Sequence, residues 1–145
     1  MEIVFVVPAV PIAQPRQRHR IINSGGTSFA SNYTPSKHPV QDFKASCRMA
    51  AAAAYKGPPL DCPIRMDLVF VFDRPATVPK KLGTGRLPHT GKPDRDNVMK
   101  SLQDALEGLL FRNDSLICAG SVEKWKRAAH EQPHVEVRIT VEDTK

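Results

Sequence analysis

The chain is short of aromatic residues and of sulfur. Aromatics make up 6% of its 145 residues, with a single tryptophan, and there are three cysteines, Cys47, Cys62 and Cys118. An odd number at wide spacing suggests neither a disulfide framework nor a zinc site, so a reducing compartment is expected. No apolar run approaches the roughly 20 residues needed to span a bilayer, which argues against a membrane partner. Glu2, Pro8 and Pro11 interrupt the first apolar stretch and spoil a secretory leader there. There is no internal repeat and no nucleotide-binding unit. These absences together lead us to expect a cytoplasmic protein.

The apolar share of 41% and charged share of 25% are globular values. The length suits one domain, residues 1–145, with a sizeable core. The net charge of +6 calls for an anionic partner, most simply nucleic acid. Thirteen prolines cluster mainly in two loops and divide the chain into elements.

Residues 3–7 are β-branched and apolar, hence a buried strand. Residues 8–36 form a long Pro/Gly/Ser/Asn loop holding Arg16, Arg18, His19 and Arg20. Arginine presents a planar fork to phosphate oxygens, so phosphate contact is expected from Arg16, Arg18 and Arg20, the alternative being a solvated arm. A helix over residues 37–55 follows, opened at Pro35 or Ser36 and rich in alanine, the best helix former. Residues 63–73 alternate as a mostly buried strand. Residues 74–93 form a second basic loop, with Lys80, Lys81, Arg86 and Lys92 as candidate DNA contacts. His89 reads as a surface or phosphate-contacting group in preference to a metal ligand. At the C-terminal end, residues 115–125 and 135–141 read as an antiparallel hairpin with Lys124, Lys126 and Arg127 at its tip; Trp125 reads as a core residue in preference to a base-stacking platform. The order β-α-β-α-β-β implies an α/β (α+β) fold, a single mixed sheet with two main helices on one face.

Between the second loop and the hairpin lies the stretch Lys92 to Asp114. Pro93 cannot sit inside a helix, Asp94 or Asp96 can cap one, and Gly108 suits the left-handed residue beyond its end. At about 100° per residue, Asp96, Asn97, Lys100, Gln103, Asp104 and Glu107 share one side. Val98, Met99, Leu102, Ala105, Leu106 and Leu109 share the other. Asp94, Asp96 and Asp114 are hard oxygen donors of the kind and number that suit Mg²⁺, with Mn²⁺ as a substitute. Lys100, one turn after Asp96, can bind phosphate or stabilise developing charge. Asn97, Asp104 and Asn113 are candidates for an outer shell; Asn97 can instead cap the chain, Asp104 has an equally ordinary structural role, and Asn113 can ligate through its carbonyl oxygen but brings no charge. Taken one at a time, such charges are also what a solvated helix surface carries.

The ordered string Lys-Pro-Asp-x-Asp-Asn-x-x-Lys-x-x-x-Asp-Ala-Leu-x-Gly, from Lys92 to Gly108, then an acidic element at Asn113-Asp114 and an aliphatic strand, resembles the signature of RusA-type Holliday-junction resolvases. Weaker likenesses cover Pro8 to Arg18 and Tyr33-Thr34-Pro35. The resemblance implies a crossover junction endodeoxyribonuclease of bacteria or their phages, acting on four-way junctions in recombination and repair. It maps the essential acids onto Asp94, Asp96 and Asp114 and the essential lysine onto Lys100. The family has two acids where this chain has Asn113-Asp114. One chain carries one cluster, whereas a two-fold symmetric junction needs two cuts, so a homodimer is expected.

The alternative is a non-catalytic basic DNA-binding module whose acidic helix is merely charged surface. A calcium loop beginning at Asp94 fails because its sixth position requires glycine and is Met99. A sugar-nucleotide Asp-x-Asp site is disfavoured by the short chain.

Overall fold

The computed structural model describes residues 1–15, 18–24, 27–33 and 38–143, the second and third of these ranges by their backbone alone. Strand β1, Glu2–Val7, buries Ile3, Phe5 and Val7 and exposes Val4 and Val6, the period of two that one covered face imposes. Strands β2, Arg18–Ser24, and β3, Thr27–Tyr33, pair antiparallel as a separate two-stranded sheet inside what the sequence presents as one long loop. Their polar Ser/Asn/Arg content hides them, because nothing in it marks a buried face.

Helix α1, Pro39–Ala54, is capped by His38, whose Nδ1 accepts from the Val40 N–H at 3.1 Å, and has Pro39 in its first turn. It starts later than residue 37, because His38 supplies the cap; Pro35 and Ser36 lie outside the described residues. Val40, Phe43, Cys47 and Ala51 form its buried stripe. Burial pushes the Cys47 thiol up to about 12, so it is a packing group and not a nucleophile.

Strand β4, Ile64–Phe72, is the centre of the main sheet. Helix α2, Arg95–Leu106, follows a loop holding a short 3₁₀ turn, Lys80–Leu82, and the two-residue strand β5, Leu87–Pro88. Strands β6, Ile117–Lys126, and β7, His134–Val141, complete the sheet in the order β1-β7-β4-β6-β5. It is a mixed sheet: β6 runs parallel to β4, while β7 is antiparallel to both β4 and β1. Parallel neighbours need a crossover, and α2 lies in the one between β4 and β6. Both helices pack over the face carrying Ile3, Phe5, Ile64, Leu68, Val137 and Ile139, as expected for two helices on one side.

The expected β6–β7 hairpin is not formed. Strand β4 lies between the two runs. The connecting residues cross the end of β4, where the Arg127 N–H donates to the Phe72 carbonyl at 2.7 Å and the Arg127 guanidinium to Asp73 at 2.7 Å. That Arg127 pair holds the Asp73 carboxyl below its ordinary value. With apolar residues on both faces and few charges, β4 is stabilised more by two neighbours than by one, and β7 takes its second edge. Trp125 is half-buried, with its Nε1–H on Glu123 at 2.8 Å, and is not among the core residues.

Two contacts tie the N-terminal segment to α2. Ser101, fully buried, donates its hydroxyl to the Ile12 carbonyl at 2.6 Å, and the Gln14 N–H reaches the Asn97 carbonyl at 3.2 Å. The segment that leads to Arg16 is thereby rooted on the helix that carries Asp96. No described helix is long and apolar enough to cross a membrane.

Candidate active site

Asp94 occupies the N-cap of α2 with extended backbone angles, and its carbonyl accepts from the Val98 N–H at 3.2 Å. Its carboxylate makes no capping bond and is left exposed. Asp96 lies in the first turn, also exposed. The partial positive charge of a helix N-terminus suits acidic residues at both positions. Val98, Leu102, Ala105 and Leu106 are buried beneath them, so the core fixes the rotation of α2 and hence the direction of its acidic face.

The loop before α2 is held from strand β6. The Lys124 ammonium donates to the Gly91 carbonyl at 2.6 Å and the Pro93 carbonyl at 2.5 Å, and the Lys124 carbonyl accepts from the His89 N–H at 3.3 Å. Lys124 is therefore not a charge at a hairpin tip. His89 stacks on Phe72 at 4.4 Å between ring centroids. Burial, reinforced by the nearby Lys124 ammonium, pushes the His89 imidazole below its ordinary value, so the ring is neutral at pH 7.

Asp114 arrives by a different route. Gly108, at φ 85°, turns the chain past the end of α2, and its N–H bonds the Phe111 carbonyl at 2.7 Å. Leu60 pins the next residues, donating to Leu110 O at 2.8 Å and accepting from Arg112 N at 2.9 Å. The Glu107 carboxylate accepts from the Asp114 N–H at 3.2 Å. Asn113 caps the short 3₁₀ turn Asp114–Leu116, its Oδ1 accepting from Ser115 N at 2.9 Å. That local bond gives the Asn113 side chain a structural task.

Two clefts meet at the start of α2. One, of about 750 Å³, lies between α2 and β6 and is lined by Arg95, Asp96, Gln103 and Asp114 over a floor that includes Met66 and Met99. The other, of about 600 Å³, is lined by His89, Thr90, Asp94, Arg95, Asp96 and Lys124. Asp96 and Arg95 belong to both. Strand β6 passes very close to β4 in the first cleft. A Cβ on Gly120 would stand 1.9 Å from the Met66 carbonyl oxygen, and Gly120 has φ 150°.

Asp96 thus lines one cleft together with Asp114 and the other together with Asp94. Among the described residues, no group of three or more His, Cys, Asp or Glu side chains is drawn together closely enough to hold a metal. Lys100 lines neither cleft; its ammonium is 3.8 Å from Asp104 Oδ1 and largely exposed. Among the described residues Asn97 uses only its carbonyl, toward Gln14.

The basic candidates divide. Lys80, Lys81 and Lys92 are exposed. Arg86 is committed elsewhere: Glu131 takes it bidentately at 2.8 and 2.9 Å, and Glu136 at 2.7 Å. Two carboxylates neutralise it in place, so the expected phosphate contact gives way to an ion pair that joins β5 to the β6–β7 connection. The Arg86 guanidinium holds the Glu131 carboxyl down at about 2. Arg18 and Arg20 lie on β2, of which only the backbone is described, and Arg16 lies outside the described residues.

Against known protein families, the model of endodeoxyribonuclease RusA matches residues 8–140, which takes in α2, both clefts and four of the five strands of the main sheet, all but β1, in whole or in part. The chain belongs to the RusA family. A relative from Bacillus subtilis (strain 168), described as uncharacterized protein YqaN, is 32% identical over 141 residues, which is 93% of each chain. RusA membership implies an endodeoxyribonuclease, a hydrolase of phosphodiester bonds within DNA. In this RusA chain, Glu107 and Lys124 are the neighbours of the acidic residues that sequence reasoning missed. Glu107 showed only as one more charge on the helix, and Lys124 contacts a segment more than thirty residues away.

Proposed function

We propose that the chain is a divalent-cation-dependent endonuclease that cuts branched DNA, resolving four-way junctions as a homodimer. The observation that carries this reading is Asp96, which lines two clefts, one with Asp94 and the other with Asp114. The donor set fits Mg²⁺, which takes one or two protein carboxylates and completes its shell with water and substrate phosphate. A cage of three ligands is therefore not required before DNA arrives. Asp94, Asp96 and Asp114 would hold the cation, which when bound supplies an activated water and neutralises charge on the phosphate.

The residues of the chain do the rest. Before the cation binds, exposed carboxylates repel phosphate and keep the site clear of DNA. Lys100, one turn along α2, is within a side chain's reach of a strand laid across the helix and meets its phosphate. Arg95, whose guanidinium donates to the Val122 carbonyl at 3.3 Å, sits where the two clefts join and faces the same backbone. Arg16, Arg18, Arg20, Lys80, Lys81 and Lys92 neutralise phosphates farther from the cut. The compartment is the cytoplasm, where bacterial or phage DNA recombines and is repaired.

The test is cleavage of a synthetic four-way junction by the full chain, with Mg²⁺, with Mn²⁺ and with chelator, and with cuts mapped on all four strands. Paired symmetric nicks that need the cation are expected, together with a dimer mass by light scattering on DNA. Tight binding without nicking under every condition would favour a DNA-binding module instead.

A further inference from the structure

We propose that Lys124 is a positioning residue of this site. Through the Gly91 and Pro93 carbonyls it sets where Asp94 presents its carboxylate to the cation. The inference rests on reading Asp94 as a cation ligand.

The geometry is specific. Asp94 has no side-chain bond at its own N-cap, so only the backbone on either side governs its direction. On the C-terminal side that backbone is α2. On the N-terminal side it is residues 89–93, which Lys124 grips from both of its ends. Its main-chain carbonyl takes the His89 N–H, and its ammonium takes two carbonyls, the second belonging to the residue directly before Asp94. Lys124 is half-buried on β6, a strand paired along its whole length with the central β4, where it stands opposite Phe70. The clamp is therefore fixed to the most rigid part of the sheet. Charged donors make the stronger hydrogen bonds, and an ammonium has three N–H groups, enough for two carbonyls and one more partner.

A surface lysine that merely solvates the protein would be exposed and unbonded. A lysine recruited for DNA would keep its ammonium free. Lys124 does neither. It also lines the cleft of Asp94 and Asp96, where a positive charge by itself repels a cation. Simple charge removal and loss of positioning consequently predict opposite signs, which makes the proposal decidable.

The variants are Lys124→Met, Lys124→Gln and Lys124→Arg in the full chain. Mn²⁺ affinity without DNA is measured by calorimetry, and hydrogen exchange by mass spectrometry. Lys124→Met should weaken Mn²⁺ binding by about 10-fold or more, the usual scale for losing a group that orients a ligand. Exchange should rise in residues 90–95 and stay unchanged in β4 and β7. Lys124→Arg, which can still donate to both carbonyls, should recover most of the affinity, and Lys124→Gln part of it. Unchanged or tighter Mn²⁺ binding in Lys124→Met or Lys124→Gln would overturn the proposal. Unfolding of both would also do so, in favour of a general structural role. Failure of the underlying reading looks different: wild type would bind no Mn²⁺, or Asp94→Asn would bind it as well as wild type.

Discussion

The Glu107 carboxylate accepts the backbone N–H of Asp114 at 3.2 Å, so the helix that begins at Asp94 and Asp96 also holds the second acidic element at its far end. One rigid rod thus carries or steadies three acids that the chain separates by up to twenty positions. The buried stripe Val98, Leu102, Ala105 and Leu106 sets the rotation of that rod, and the predictions below concern what it presents.

Asp94→Asn and Asp96→Asn should each reduce junction cleavage to background while leaving junction binding intact or tighter. Both carboxylates are exposed and unpaired among the described residues, so their removal unsatisfies nothing and lowers repulsion of phosphate. Gel shift and cleavage on the same protein preparation check this. Parallel loss of binding and cleavage would assign the acids to folding.

Lys100→Ala should slow cleavage by about 10²-fold at saturating Mg²⁺, the scale for removing one charge-stabilising donor. Its Mg²⁺ half-saturation should not move, because Lys100 lines neither cleft. Asp104→Ala, which frees the ammonium from a partner at 3.8 Å, should leave the rate within about 2-fold, since an exposed pair of this type contributes little. Single-turnover kinetics distinguish the two.

Asn113→Asp should leave the Mg²⁺ requirement nearly unchanged even though it restores two acids in a row. The side chain at 113 is occupied by the Ser115 N–H, and aspartate caps as well as asparagine. Asn113→Ala should instead cost about 1 kcal/mol of stability through the lost cap. A Mg²⁺ titration of the first variant and thermal melts of the second provide the check. A clear drop in half-saturating Mg²⁺ for Asn113→Asp would turn this side chain toward the site.

Stability should fall in acid through Glu131. Its carboxyl is held at about 2 in the folded protein, against 4.5 ordinarily, mainly by hydrogen bonding to Arg86. A depressed folded value means that the contribution is complete above about 4.5 and is lost as pH falls toward 2. Arg86→Met should flatten the melting temperature between those limits and lower it at pH 7. An unchanged pH profile would mean that the pair contributes nothing in solution.

The sequence was most readable where the signal is local. Proline and glycine bracket α2, alanines mark α1, a β-branched apolar run marks β1, and alternation identifies β4 and β7. Alternation reports which face of a strand is buried but not which strand lies beside it, so β6 and β7 read as a hairpin when β4 separates them. The pair β2–β3 was invisible because its residues carry no apolar period. In the candidate site, the acids stood out by type and spacing. The long-range contacts around them did not: Ser101 ties Ile12 to α2, and Lys124 reaches Gly91 and Pro93, while Arg86, away from the acids, reaches Glu131 and Glu136. Each of these contacts joins residues dozens of positions apart. Asn113 bonds locally, to the Ser115 N–H, yet in the sequence it stood out only as a departure from two acids in a row.

Gly120 has an implication for how this enzyme can be altered. Where β6 crosses Met66, the inner wall of the larger cleft is bare main chain with no room for a methyl group. Selection therefore has nothing to vary at that point, by natural drift or by directed evolution. Any change in what the cleft admits must come from the side chains that line it elsewhere, Met99, Gln103, Cys118, Ser121 and Val122 among them, while the spacing between β4 and β6 stays as the sheet sets it.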